Sequence, residues 1–230
     1  GCVLRCEYCQ NSVISRNYCG KTVDAHGLTE IIKELEASGV HNINLVSPTP
    51  YYPVIVKALR EYKPSIPVVC NTSGYEKVET LKALEGLIDI YLPDFKYSDN
   101  ALAIKYSKAP DYPLIALNAI KEMVRQVGTP VHGEDGMMKK GVMVRHLILP
   151  ENLENSYGVL DMIADNLPED IYISLMAQYF PTGNETHGEL KRKITAEEYE
   201  KVSSYMLLLG LENGFVQELD SSSKSYVPSW

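Results

Sequence analysis

Short apolar runs alternate with stretches of helical periodicity along most of this chain, and that alternation restricts the fold more than any other property. Leu28, Ile31, Ile32 and Leu35 recur at helical spacing before Gly39, which predicts a helix over about residues 29–38. Asn42-Ile43-Asn44-Leu45-Val46 then reads as a short buried strand. It ends at Ser47-Pro48-Thr49-Pro50, where two prolines block further ladder pairing. The unit repeats as a helix near residues 52–62, a strand over 66–71 and the polar loop Thr72-Ser73-Gly74. It repeats again as a helix over about 78–85 and a strand over 87–92 that stops at Pro93-Asp94-Phe95-Lys96.

Residues 97–141 form a longer excursion, in which Leu114, Leu117, Ile120, Met123, Val124 and Val127 mark one amphipathic helix closed by Gly128. Its tail reads as a loop or hairpin. Strands follow at 142–149 and 171–176, separated by a helix near 157–166. Thr195 with Glu198 three residues on is a capping box for a last helix that runs to about Leu209, before Gly210, and residues 220–230 read as an irregular tail. No low-complexity linker interrupts the pattern, so a single domain over residues 1–230 is expected.

Strands and helices alternating at these spacings imply an α/β fold with parallel pairing through right-handed crossovers. Five strands are visible. The chain opens at Gly1 with a cysteine motif already under way, and that loop calls for a strand before it. The expectation is therefore an open, partial (β/α)6 barrel with its first strand truncated, and a site at the loops after the strand C-termini.

The formal net charge of −8 argues against a nucleic-acid partner, which usually needs a basic face. No apolar run approaches the roughly 18 residues of a membrane span, and the N-terminus lacks the basic-then-apolar pattern of a signal peptide. A cytoplasmic protein with no membrane partner is the expectation. Four of five cysteines, Cys2, Cys6, Cys9 and Cys19, crowd into the first nineteen residues, and in a reducing compartment such clustering points to metal before disulfide. Cys70, on a strand, reads as core.

Cys2-x3-Cys6-x2-Cys9 supplies three thiolates, whereas a cubane cluster has four irons to ligate. A structural zinc site completed by Cys19 or His26 is the competing reading, and would make the chain a non-catalytic binding protein. The stretch Gly1-Cys2-Val3-Leu4-Arg5-Cys6-Glu7-Tyr8-Cys9-Gln10-Asn11 resembles the cluster loop of radical S-adenosylmethionine (SAM) enzymes. Residues 42–50, 71–75, 89–97, 144–150 and 173–181 further resemble the pyruvate formate-lyase activating enzyme-like family, and within it the PflX-type branch.

The resemblance implies a [4Fe-4S] cluster on Cys2, Cys6 and Cys9 whose open iron binds SAM and cleaves it to a 5′-deoxyadenosyl radical. That radical would abstract hydrogen from a substrate, in the first reading a glycyl position of a glycyl radical enzyme, with flavodoxin or ferredoxin as reductant. A peptide or small-molecule substrate is the alternative, and no cysteine after Cys70 speaks for an auxiliary cluster. Position by position, Tyr8 would lie against adenine. Ser47-Pro48-Thr49 stands where the family has a glycine-glycine-glutamate turn, so Ser47, Thr49 or carbonyls would have to receive the amino group, because proline offers no N–H. Asn71, Thr72 and Ser73 would reach the ribose or carboxylate side. Asp94 and Lys96 match the family's Asp-x-Lys and would serve both catalysis and cofactor binding. Arg145 would clamp a carboxylate, and Gln178 and Tyr179 would supply polar groups after the last strand. His146 points to the face opposite Arg145 by strand alternation and reads as structural.

Overall fold

The computed structural model describes residues 1–17, 19–183 and 185–216. The expected tail at 220–230 lies outside the described residues. In chain order the elements are α1 (Ser12–Asn17), α2 (Ala25–Ala37), β1 (Ile43–Val46), α3 (Tyr52–Glu61), β2 (Val68–Thr72), α4 (Val78–Lys82), β3 (Ile90–Pro93) and α5 (Asn100–Ser107). Then come α6 (Tyr112–Val127), β4 (Val131–His132), β5 (Met138–Leu147), α7 (Leu153–Asn166), β6 (Tyr172–Met176), α8 (Ala196–Leu208) and β7 (Gly214–Val216).

The strands form one open sheet in the order β1-β2-β3-β5-β6-β7, every neighbouring pair parallel, with β4 added antiparallel to β5. Parallel neighbours require a crossover, and helices supply it between successive strands. The α/β partial-barrel expectation therefore holds. The face toward the helices is a sealed core: Val68, Cys70, Tyr91, Val144, His146, Ile173 and Leu175 are all fully buried there. Asn71, Leu92, Arg145 and Ser174 alternate with them and are only half-buried. A sheet sandwiched between two helix layers would bury both faces. Here one face stays accessible.

Local chemistry explains the element ends. Asp24 caps α2 by accepting the Gly27 N–H at 2.8 Å, and Asp99 caps α5 through Ala101 N–H at 2.6 Å. The capping box at α8 is complete: Glu198 N–H donates to Thr195 Oγ1 at 3.1 Å, and Thr195 N–H donates to Glu198 Oε2 at 2.8 Å. Glu198 also takes two hydrogen bonds from the Arg192 guanidinium, which ties the approach of α8 to its first turn.

Several expectations are corrected. β3 starts at Ile90 and not at Leu87, because Leu87 closes a turn back to the Leu84 carbonyl. Leu114 does not belong to the buried stripe of α6 and is 63% exposed. The 97–141 excursion holds a second helix, α5, that the periodicity did not announce. β7 is also additional. Its approach to β6 depends on Gly214, where an added Cβ would meet the Ile173 carbonyl oxygen at 2.0 Å.

His146 faces away from the open side of the sheet, as alternation predicts. Its Nδ1–H donates to the Phe95 carbonyl at 2.8 Å, so the neutral ring accepts the Ser156 hydroxyl at Nε2, 2.9 Å away. Burial pushes its pKa down to about 4 from an ordinary 6.5. Between these values the unfolded chain binds the proton that the folded chain refuses, so this contribution is complete above about pH 6.5 and is lost as pH falls toward 4. About 3 kcal/mol of stability is expected to disappear over that window. Denaturant titrations at about pH 7 and about pH 4.5 should show a smaller difference for His146→Gln than for the parent; equal differences would mean that the ring is charged in the fold.

Candidate functional site

The cysteine loop crosses the open face and is fastened to distant segments. Arg5 N–H donates to the Ser107 carbonyl at 3.0 Å and Glu7 N–H to the Tyr106 carbonyl at 2.8 Å, so the end of α5 holds the loop. On its other side Glu7 accepts from the His187 N–H at 2.9 Å and from His187 Nδ1 at 2.6 Å. Arg16 of α1 donates to the Cys6 carbonyl. These contacts place Cys2, Cys6 and Cys9 on one cleft of about 240 Å³ above the C-terminal ends of β1, β2, β3, β5 and β6.

The cleft gathers residues far apart in sequence. Tyr8, Ser47, Asn71, Thr72, Ser73, Asp94, Lys96, Arg145, Gln178 and Tyr179 all line it with the three cysteines. Thr49 is the exception among the expected residues. It lies outside the lining and gives its hydroxyl to the buried Glu76 carboxylate at 2.6 Å, a group that Thr72 also hydrogen bonds. Ser47 takes a left-handed φ of 52° and donates its N–H to the Asn71 carbonyl at 2.8 Å. The turn that follows β1 is thereby anchored to β2.

Asp94 is the electrostatic centre. Lys96 Nζ donates to its Oδ2 at 2.6 Å, and Arg145 reaches its Oδ1 at 2.6 Å while also donating to Asn71 Oδ1 at 2.6 Å. Burial alone would push the Asp94 carboxyl up, but Arg145 and then Lys96 hold it below the usual carboxylate range. Lys96 is likewise disfavoured by burial, yet the Asp94 carboxylate raises it well above an ordinary lysine. Both groups are therefore charged near neutrality. One carboxylate facing two cations leaves a net positive site at the strand ends.

A glycine makes this arrangement possible. Gly74 sits at φ +75°, and a Cβ there would meet the Asp94 carbonyl oxygen at 2.2 Å. Only glycine lets the loop after β2 close onto the loop after β3. Tyr112 clasps the same two loops: its hydroxyl lies 2.7 Å from the carbonyls of both Ser73 and Asp94 and accepts the Lys96 N–H at 3.0 Å. Nothing in the sequence pattern of α6 distinguishes Tyr112. Leu4, Gln10, Asn11, Val46, Leu147 and Met176 complete the lining, and sequence reasoning missed them as well.

Two further properties bear on the chemistry of the cleft. Buried polar atoms lacking a hydrogen-bond partner, among the described residues, include Asn11 Oδ1, Ser73 Oγ and Arg145 Nε, all on residues of this lining. Orphaned groups are costly unless a ligand completes them. Second, burial pushes the Cys6 thiol up to about 11, with Cys9 and Cys2 adding to the rise against Lys96 and Ser107, so near neutrality it rests as the protonated thiol. Among the described residues no three His, Cys, Asp or Glu side chains converge on a point where one ion could sit. Thiolates of a multi-iron cluster each bind a different iron and need no such point. The zinc alternative lacks its fourth ligand here: Cys19 is exposed and off the cleft, and His26 is paired with Glu61 at 3.1 Å.

No helix among the described residues is long and apolar enough to cross a membrane. The family model described as the Radical SAM superfamily matches residues 1–138. An uncharacterized protein of Methanocaldococcus jannaschii, MJ0674, is 31% identical over 211 residues, which are 87% of this chain and 58% of the relative. This chain thus spans little more than half the length of that protein. SuiB of Streptococcus suis, crystallised with SAM, superposes with a TM-score of 0.62 at 16% identity, over 99% of this chain and 51% of that one. A domain of pyruvate-formate lyase-activating enzyme from Bacteroides vulgatus superposes with a TM-score of 0.53 at 13% identity, over 77% of this chain and 98% of that one. Three cysteines at family spacing over the strand ends of an open parallel sheet agree with the family match, and the chain belongs to the Radical SAM superfamily, whose members use a [4Fe-4S] cluster and SAM.

Proposed function

We propose that this chain holds a [4Fe-4S] cluster through Cys2, Cys6 and Cys9, seats SAM across the strand ends, and directs hydrogen abstraction at a glycyl position of a partner protein. The observation that carries the cofactor half of this reading is the convergence of Cys2, Cys6 and Cys9 with the charged Asp94, Lys96 and Arg145 on one cleft at the strand ends. When bound, the pair supplies one-electron cleavage of the SAM S–C5′ bond and with it a hydrogen-abstracting radical.

The protein's own residues bind, orient and exclude water. Arg145 lines the cleft and offers its positive charge to an anionic group such as the SAM carboxylate, while Asp94 holds the guanidinium in place. Ser73 and Asn11 line the same cleft and bring a hydroxyl and an amide to its polar wall, suited to ribose or amino groups. Tyr8 and Tyr179, edge to face at 5.9 Å, give the cleft an aromatic wall suited to adenine. Lys96 and Asp94 keep the base of the cleft charged and set the ligand's orientation. Gln178 and Ser47 close its rim.

A protein substrate draws support from the resemblance to glycyl-radical activating enzymes and from the fold shared with an activating-enzyme domain. A flavodoxin or ferredoxin would deliver the electron. The same fold occurs in SuiB bound to its precursor peptide, SuiA, with a TM-score of 0.63, so a peptide remains the alternative substrate class.

Arg145→Ala tests the site. Its iron content is expected to equal the parent's, because Arg145 touches no cysteine. SAM binding should weaken by roughly 1.5 to 3 kcal/mol, the usual worth of a hydrogen bond to a charged group, or on the order of tenfold to a hundredfold. Equilibrium binding and 5′-deoxyadenosine yield with dithionite are the readouts. Parent-like binding and cleavage would reduce Arg145 to a structural partner of Asp94.

A further inference from the structure

We propose that Ser107 tunes the reduction potential of the cluster, as the last member of a buried hydroxyl chain that delivers a hydrogen bond to the Cys6 sulfur. The inference rests on the reading of Cys6 as an iron ligand.

Ser107 Oγ lies 3.1 Å from Cys6 Sγ. The Tyr97 hydroxyl is 2.6 Å from Ser107 Oγ, and the Tyr8 hydroxyl is 2.7 Å from that of Tyr97. Each hydroxyl has one proton to give. A metal-bound thiolate only accepts, so Ser107 must donate to Cys6 and accept from Tyr97. Tyr97 must then accept from Tyr8. The thiolate at one end orients the whole chain, and every O–H points toward the sulfur.

The chain lies in a dry place. Ser107 and Tyr97 are wholly buried and Tyr8 is 7% exposed, so water does not compete for the two hydroxyl–hydroxyl bonds, and they end on a part-buried bond to Cys6. Hydrogen bonds in series at low dielectric polarise one another, which strengthens the terminal bond to sulfur. Its geometry is fixed by the backbone: the Ser107 carbonyl takes the Arg5 N–H, one residue before Cys6. Cys9 has a longer counterpart, a contact to Ser15 Oγ at 3.4 Å, with no hydroxyl chain behind it among the described residues.

A donor aimed at a ligand sulfur binds the reduced cluster, with its extra negative charge, more strongly than the oxidised one, and so raises the potential. The test uses parent, Ser107→Ala and Tyr97→Phe chains, reconstituted without oxygen, with iron counted per chain and the midpoint potential read by a redox titration followed by EPR. Iron content is expected to be equal in all three. In Ser107→Ala the reduced-to-oxidised ratio at a fixed potential should fall by about tenfold, equivalent to about 59 mV for one electron. Tyr97→Phe, which removes only the polarising hydroxyl, should shift the same way by a smaller factor. Equal midpoints at equal iron content overturn the inference. So does loss of iron in Ser107→Ala together with an unshifted Tyr97→Phe, which would make Ser107 a packing residue. A parent that takes up no iron overturns the ligand reading itself, and this inference with it.

Discussion

Replacing any one of Cys2, Cys6 or Cys9 with Ala is expected to reduce iron, after anaerobic reconstitution, from about four per chain to near zero. Three thiolates are the minimum that can hold a cubane while leaving one iron for SAM. Losing one leaves two irons without protein ligands, and no other cysteine lines the cleft: Cys19 is exposed elsewhere and Cys70 is buried on the far side of the sheet. Cys19→Ala is the control and should load as the parent does. Metal analysis with the visible spectrum decides it. Stoichiometric zinc in the parent, or a Cys6→Ala chain that keeps its iron, would sink the assignment.

The largest stability effect should come from Asp94→Ala. An ion pair on the surface contributes about 0 to 1 kcal/mol, so its loss would pass unnoticed. Asp94, Lys96 and Arg145 are only 16%, 14% and 22% exposed at their side chains, however, and the aspartate is the one carboxylate that both cations share. Removing it strands two charges, and breaking such a buried pair costs about 3 to 5 kcal/mol. Asp94→Asn, which keeps the shape and a hydrogen-bond acceptor, should lose less. Chemical denaturation of the iron-free chains measures both. A change under about 1 kcal/mol for Asp94→Ala would show that solvent screens these charges and that the site is far wetter than its geometry implies.

Much of the frame could be read from the residues because the signals were local. Gly128 ends α6 where the apolar repeat stops, and Thr195 with Glu198 marks the start of α8 three residues ahead of any packing. The positions at the strand ends were also legible: Ser47 and Asp94 follow β1 and β3 directly, and Asn71 and Arg145 lie in the last residues of β2 and β5. What escaped were contacts made across long stretches of chain. α5 has almost no one-sided apolar stripe, burying Ala103, Tyr106 and Ser107, so periodicity could not find it. Thr49 meets Glu76 only because the loops after β1 and β2 are neighbours in space, and that meeting draws its hydroxyl off the cleft. Ser107 carries no motif at all, and Tyr97 only closes the 89–97 stretch, with nothing there to mark its hydroxyl. β7 is three residues long and depends on a bare glycine backbone, which no propensity scale rewards.

The fastening of the cysteine loop has a consequence for the order in which the molecule matures. Cys6 meets Ser107 across 101 residues, and Glu7 meets His187 across 180. Contacts of such separation close late, after the intervening chain has collapsed. In a zinc finger the metal organises a chain too short to fold without it. Here the three thiols are brought to one place by a sheet whose core contains no metal ligand, so the scaffold comes first and iron loading second. Iron delivered to the folded apo-form would meet three clustered, half-buried thiols, of which Cys6 is held protonated by burial and so resists oxidation while it waits.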